Sequence, residues 1–108
     1  MTGPIDGAVH RVPEDATAWS YRDAVWSGVI DGTDPDPAKA GVIKQCVTYW
    51  EALHLHSMGG AYVYFMMEEG QERVRAAYRG NYERLAHIKK KHDPDNLFHA
   101  NQNIRPAG

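Results

Sequence analysis

The sequence predicts an α+β fold: a small antiparallel sheet of about three strands, covered by helices on one face, in the order β-β-α-β-α-α. Three observations carry this. From Thr17 to Ile30 (TAWSYRDAVWSGVI) aromatic and β-branched residues recur at period two, as in a strand with two unlike faces. After Asp36-Pro37 apolar residues recur at helical spacing. The run Ala61 to Met67 (AYVYFMM) is apolar on both faces, as in a covered central strand. Strands and helices segregated in this way pack as a helical layer on a sheet.

Taken in order, residues 1–6 are expected to be loose. Ala8 to Val12 reads as a short strand closed by Pro13, with a turn at Glu14-Asp15. In the long strand that follows, Trp19, Tyr21, Asp23 and Val25 share one face, and Ser20, Arg22, Ala24 and Trp26 the other. Gly28 suggests a bulge or a close backbone approach. Asp31 to Pro35 is a loop. Asp36 then offers a helix cap with Pro37 at the first helical position. Val42, Ile43, Cys46, Val47, Trp50 and Leu53 form the apolar stripe of that helix, which Gly59-Gly60 stops. After the central strand, Glu68 to Ala77 reads as a short polar helix broken by Gly80. Asn81 can cap a second helix reaching Lys91, with Tyr82, Leu85 and Ile88 inward. Asp93-Pro94-Asp95-Asn96 is a turn. The tail is extended, pinned by Leu97, Phe98 and Ile104, with 105–108 loose.

With 108 residues the chain reads as a single domain, residues 1–108, and 43% apolar residues suffice for a core. A formal net charge of −2 gives no field to attract nucleic acid or an anionic membrane. No apolar run approaches the ~20 residues of a membrane span. Cys46 is the one cysteine, which suits a reducing, cytoplasmic setting. His54 and His56, two positions apart on a helix, diverge by about 200° and cannot share an ion, so no metal is expected.

The run Tyr78 to Pro106, YRGNYERLAHIKKKHDPDNLFHANQNIRP, resembles the closing segment of berberine-bridge-enzyme-like FAD-linked oxidoreductases. AVHRVPEDATAWSYRDAVWSGVI is similar to part of the substrate domain in bacterial members of that family, and GGAYVYFMMEEGQERVRAAYRGNYERL to the strand and helices after it. Residues 7–106 thus follow the family's C-terminal portion in order. The resemblance implies an FAD domain elsewhere: these residues hold no Gly-rich phosphate cradle, so FAD is expected only if a partner supplies the flavin domain. Where the family strand commonly carries Asn, this chain has Tyr64, and Phe65 stands where plant members can place a catalytic Tyr. Ser20-Tyr21 replaces the usual Pro-His.

These departures define the candidate site. Asp23, a carboxylate on an aromatic face, and Tyr64, a hydroxyl on the rewritten strand, are the candidate catalytic residues; Trp19, Tyr21, Tyr62, Phe65 and Met66 are the candidate substrate-binding residues. A carboxylate in that setting either has its pKa raised or pairs with a cation or the backbone. Tyr62, Tyr64 and Met66 either line a pocket or pack on a second subunit. The favoured function is a flavin-independent enzyme of secondary metabolism. It would hold an apolar, polyketide-like substrate in an aromatic pocket and promote cyclisation, cycloaddition or isomerisation by positioning and a polarising Tyr or Asp. The alternatives are the substrate-domain subunit of a split FAD-dependent oxidoreductase and a non-catalytic binding protein. A homodimer is expected, because so small a sheet leaves edges and an apolar face to cover.

Overall fold

The computed structural model describes residues 1–62, 66, 70–100 and 102–108. The α+β class holds, with a small antiparallel sheet and helices. Strand β1 (Thr2–Pro4) is followed by α1 (Ala8–Arg11), β2 (Trp26–Gly28), α2 (Ala40–His54), α3 (Gln71–Tyr78) and α4 (Asn81–His92). Backbone contacts divide the chain into two compact units, residues 1–5 with 24–59 and residues 6–23 with 60–108.

The first unit holds the two-stranded sheet. β1 pairs antiparallel with β2, Thr2 opposite Gly28 and Pro4 opposite Trp26. The N-terminal residues expected to be loose are therefore held by main-chain hydrogen bonds, for which a Thr-Gly-Pro sequence carries no signal. The helix start is as expected. The Asp36 carboxylate accepts the Ala38 N–H at 3.0 Å, and the 3-10 turn Pro37–Lys39 runs into α2. On α2 the half-buried Ile43, Cys46 and Trp50 form one stripe, and Gly32 lies against Cys46 so closely that a Cβ there would sit 2.7 Å from Sγ. No residue of this fifteen-residue helix is fully buried, and Val42, Val47, Tyr49 and Leu53 are exposed.

The second unit carries the core: Met66, Val74, Ala77, Tyr82 and Ala86, with Ala61, Tyr78, Ile104 and Ala107 packed against it. α3 and α4 bring Val74, Ala77, Tyr82 and Ala86 together, each at helical spacing on its own element. The tail returns to this core. Ala107 N–H donates to Ala86 at 3.1 Å, Gln71 donates to the Asn103 carbonyl at 2.9 Å, and Gln102 donates to the Met66 carbonyl.

Three expectations are corrected. Ala8–Arg11 is a helical turn, not a strand. It follows Gly7 at φ 71° and ends at an extended Val12, as the residue before Pro13 must. A period-two reading of five residues could not exclude this. Strand geometry in 17–30 is confined to residues 26–28. Ser20 and Tyr21 are adjacent and both buried, which a strand with one buried face does not allow. Finally, Leu97 and Phe98 do not pin the tail: they are 74% and 82% exposed, and Ile104 alone of the three packs on the core. The central-strand expectation for 61–67 falls mostly outside the described residues.

Candidate functional site

The break between α3 and α4 organises the second unit. Arg79 takes φ 45°, a left-handed conformation unfavourable for a residue with a Cβ, and Gly80 follows it into α4. This turns the Arg79 guanidinium onto Tyr21, 3.7 Å from the ring centroid, and onto the carboxylates of Asp23 at 3.1 Å and Glu14 at 3.8 Å. Burial opposes the charge of Arg79, but its contacts with Tyr21 and Asp23 outweigh this and raise its pKa above the ordinary value. Tyr21 itself is buried, and its hydroxyl donates to the Ala76 carbonyl at 2.6 Å. Gly60 meets the same ring so closely that a Cβ would fall 2.4 Å from it.

One residue further on, Asn81 is buried at the first position of α4. It does not cap the helix. Its amide donates to the carbonyls of Glu14 at 2.8 Å and Thr17 at 2.9 Å and to the Ser20 hydroxyl at 2.8 Å. Ser20 in turn donates to the Tyr78 carbonyl, and Arg84 to the Asp15 carbonyl at 2.9 Å. The residues Tyr78, Arg79, Asn81 and Arg84 thus hold the segment Glu14 to Asp23 against the start of α4. This explains how a stretch with little regular structure is fixed in place.

The structure gathers some candidate residues and separates others. Asp23 and Tyr21 meet through Arg79, with Asp23 exposed and ion-paired. Arg22 turns elsewhere, donating to the Thr17 hydroxyl and lying 4.8 Å from the centroid of the half-buried Trp19. Met66 is in the core, whereas Tyr62 is 55% exposed. Tyr64 and Phe65 lie outside the described residues. Sequence reasoning missed Arg79 and Glu14, and noted Ser20 only as a departure from the family pattern. The signal for Arg79 is a cation directly before the helix-breaking Gly80.

A second built feature follows α4. Lys89 and Asp93 form an ion pair whose side chains are only 16% and 10% exposed. The Asp93 carboxylate also accepts the N–H groups of Leu97 at 2.8 Å and Phe98 at 3.0 Å, and Lys89 donates to the Phe98 carbonyl. Its hydrogen bond with Lys89, opposed by burial and helped by the two backbone N–H groups, holds the Asp93 carboxyl below its ordinary value of 3.8. Asn96 turns the chain at φ 53°, which Asn tolerates.

Among the described residues, the groove that the structure outlines does not fit FAD by itself. A groove lined by Ala16, Thr17, Ala18, Asn81, Arg84, Leu85 and Ile88 encloses about 130 Å³, far too little for a dinucleotide. Among the described residues no three His, Cys, Asp or Glu side chains converge as a metal would require, and no helix is long and apolar enough to cross a membrane.

Residues 61–105 match the family described as berberine and berberine like. Over 107 residues the chain is 34% identical to the FAD-linked oxidoreductase YgaK of Bacillus subtilis, an alignment covering 94% of this chain and 23% of that protein. It is 26% identical to the monolignol oxidoreductase AtBBE-like 13 of Arabidopsis thaliana, covering 94% and 22%, and 32% identical to the FAD-linked oxidoreductase fogF of Aspergillus ruber, covering 84% and 20%. The chain therefore spans less than a quarter of the length of these curated relatives. The chain is thus similar over residues 61–105 to the berberine and berberine-like family, and over nearly its whole length to one segment of FAD-linked oxidoreductases.

Proposed function

We propose that this chain acts as the substrate-side and closing segment of an FAD-linked oxidoreductase, working against a flavin-bearing portion that contributes the redox chemistry. The observation that carries the reading is α2. It has fifteen residues and none fully buried, exposes Val42, Val47, Tyr49 and Leu53, and is followed by exposed Leu55 and Met58. Apolar surface gathered in this way marks a face built to be covered. The relatives supply the chemistry of what covers it, because each of the three is an oxidoreductase more than four times as long as the aligned segment. Within this reading, Arg79 and Asn81 keep the Glu14–Asp23 segment rigid, so that Trp19 and Asp23 are presented in fixed positions. FAD would be held by the flavin-bearing portion. The setting is cytoplasmic, and the substrate a small apolar molecule.

A second reading, the flavin-independent cyclase or isomerase, has one observation in its favour: Tyr64 stands where the family strand commonly carries Asn, and Phe65 where plant members can place a Tyr. It weighs less, because its candidate catalytic Asp23 and its candidate substrate-binding Tyr21 are otherwise engaged. Asp23 is paired with Arg79, and the Tyr21 hydroxyl is bonded to backbone. Gel filtration with absorbance in the visible range separates the two. The segment reading predicts a colourless chain that takes up no FAD alone and co-elutes with a yellow flavoprotein. Turnover of an apolar polyene or polyketide-like substrate by the chain alone would favour the second reading, with a homodimer as its expected form.

A further inference from the structure

Among the described residues only Arg79 and Asn96 take a positive φ without being glycine. Asn tolerates such a conformation, whereas at φ 45° and ψ −131° Arg79 occupies backbone space in which glycine alone is at ease. The ion pairs of Arg79 offset little of this cost, because Asp23 and Glu14 are 62% and 55% exposed. A glycine would relax the turn, so the arginine contributes through its chemistry more than through stability. Strain of this kind gathers at functional sites and ligand clamps.

The guanidinium has two flat faces and an edge. One face lies on Tyr21, 3.7 Å from the ring centroid, and the edge N–H groups meet Asp23 at 3.1 Å and Glu14 at 3.8 Å. Tyr21 is a firm support: it is buried, bonded to the Ala76 carbonyl and packed against Gly60. The second face is what remains. The Arg79 side chain is 26% exposed, and a Cβ on the adjoining Gly80 would meet nothing within 4 Å. We infer that this outer face of Arg79 is a stacking platform for a planar, uncharged aromatic ring of a small molecule, completing a sandwich of Tyr21, guanidinium and ligand. A planar, delocalised cation attracts the π face of a ring on either side. An anion is disfavoured, because one guanidinium stands against two carboxylates, with Asp15 next to Glu14 in the chain. Such binding needs no flavin-bearing portion, so it stands apart from the function proposed above.

The test titrates the purified chain with 2-naphthol and follows two-dimensional NMR shifts. Two other probes are compared: decahydro-2-naphthol, with the same carbon skeleton and hydroxyl but no π face, and 2-naphthoate, planar but anionic. The platform predicts saturable shifts at Tyr21, Arg79 and Gly80, with 2-naphthol bound about threefold or more tighter than either other probe. Arg79→Gln keeps the length and flat end of the side chain but not its charge, and should weaken binding of 2-naphthol about threefold or more. Lys90→Gln, which removes an exposed cation elsewhere on α4, should leave binding unchanged. Circular dichroism checks that both variants are folded, and the probe comparison on the native chain decides the matter if Arg79→Gln is not. Equal binding of the saturated ring, tighter binding of 2-naphthoate, native affinity in Arg79→Gln, or shifts confined to the exposed apolar residues of α2 would each overturn the platform. So would the absence of any saturable shift. None of these results bears on the proposed function, which the flavin spectrum tests.

Discussion

Single residues in this protein are held by contacts that the linear pattern only half discloses. Gly60 is legible as a helix stop, but its tighter constraint is the Tyr21 ring, which leaves no room for a Cβ. Gly60→Ala is expected to destabilise the second unit by about 1–3 kcal/mol, the usual cost of overpacking. Chemical denaturation of the two proteins checks this, and equal midpoints would contradict it. Asn81 was legible as important through its family motif but not in its role. A capping Asn and an Asn that donates to Glu14, Thr17 and Ser20 look identical in sequence, because the partners lie more than sixty positions away. Asn81→Ala removes the donor from these part-buried acceptors, at a cost of about 1–3 kcal/mol. Asn81→Asp should cost more, since a carboxylate would face two carbonyl oxygens. Thermal unfolding that ranks native above Ala above Asp fits this arrangement; Asp equal to native would exclude it.

Among the elements, the three longer helices were read well, and the strands and the short helix α1 poorly. α2, α3 and α4 carry local signals: Asp36-Pro37 at a start, Gly80 at a break, Asp93-Pro94 at a stop. The period-two stretch 17–25 misled because its aromatic residues are anchored one by one, Tyr21 to the Ala76 carbonyl and Trp19 beside Arg22, and not by a neighbouring strand. Likewise Leu97 and Phe98 look like core residues by composition, and only the structure shows them outward on a clasped loop. The clasp has a defined pH response. Asp93 titrates lower in the folded protein than its ordinary value of 3.8, so its stabilisation is complete above that value and is lost as pH falls through the lower folded one. The loop 93–99 should therefore stay ordered down to about pH 4 and loosen below it. Amide hydrogen exchange of Leu97 and Phe98 reports this directly; loosening already near pH 6 would show that Asp93 does not hold the loop.

At the scale of the whole molecule, the sequence motif established kinship, and the structure shows that most motif residues do structural work. Tyr82 and Ala86 pack, Arg79 and Asn81 hold the upstream segment, and Lys89 and Asp93 fix the loop. Of the candidate residues, Tyr21 and Asp23 meet through Arg79, while Trp19 lies beside Arg22. The part that would distinguish a flavin-facing wall from an autonomous pocket, Tyr64 and Phe65, is readable only as composition. What remains conspicuous is uncovered apolar surface, on α2 and at Leu97-Phe98, in a chain that aligns with less than a quarter of its relatives. The most direct measurement is the visible absorption of the chain purified alone, saturated with FAD and then desalted, beside that of the chain recovered with its flavoprotein. A colourless chain alone and a yellow complex are the predicted pair of results. Stoichiometric flavin retained by the chain alone, or a colourless protein converting substrate unaided, would contradict the account.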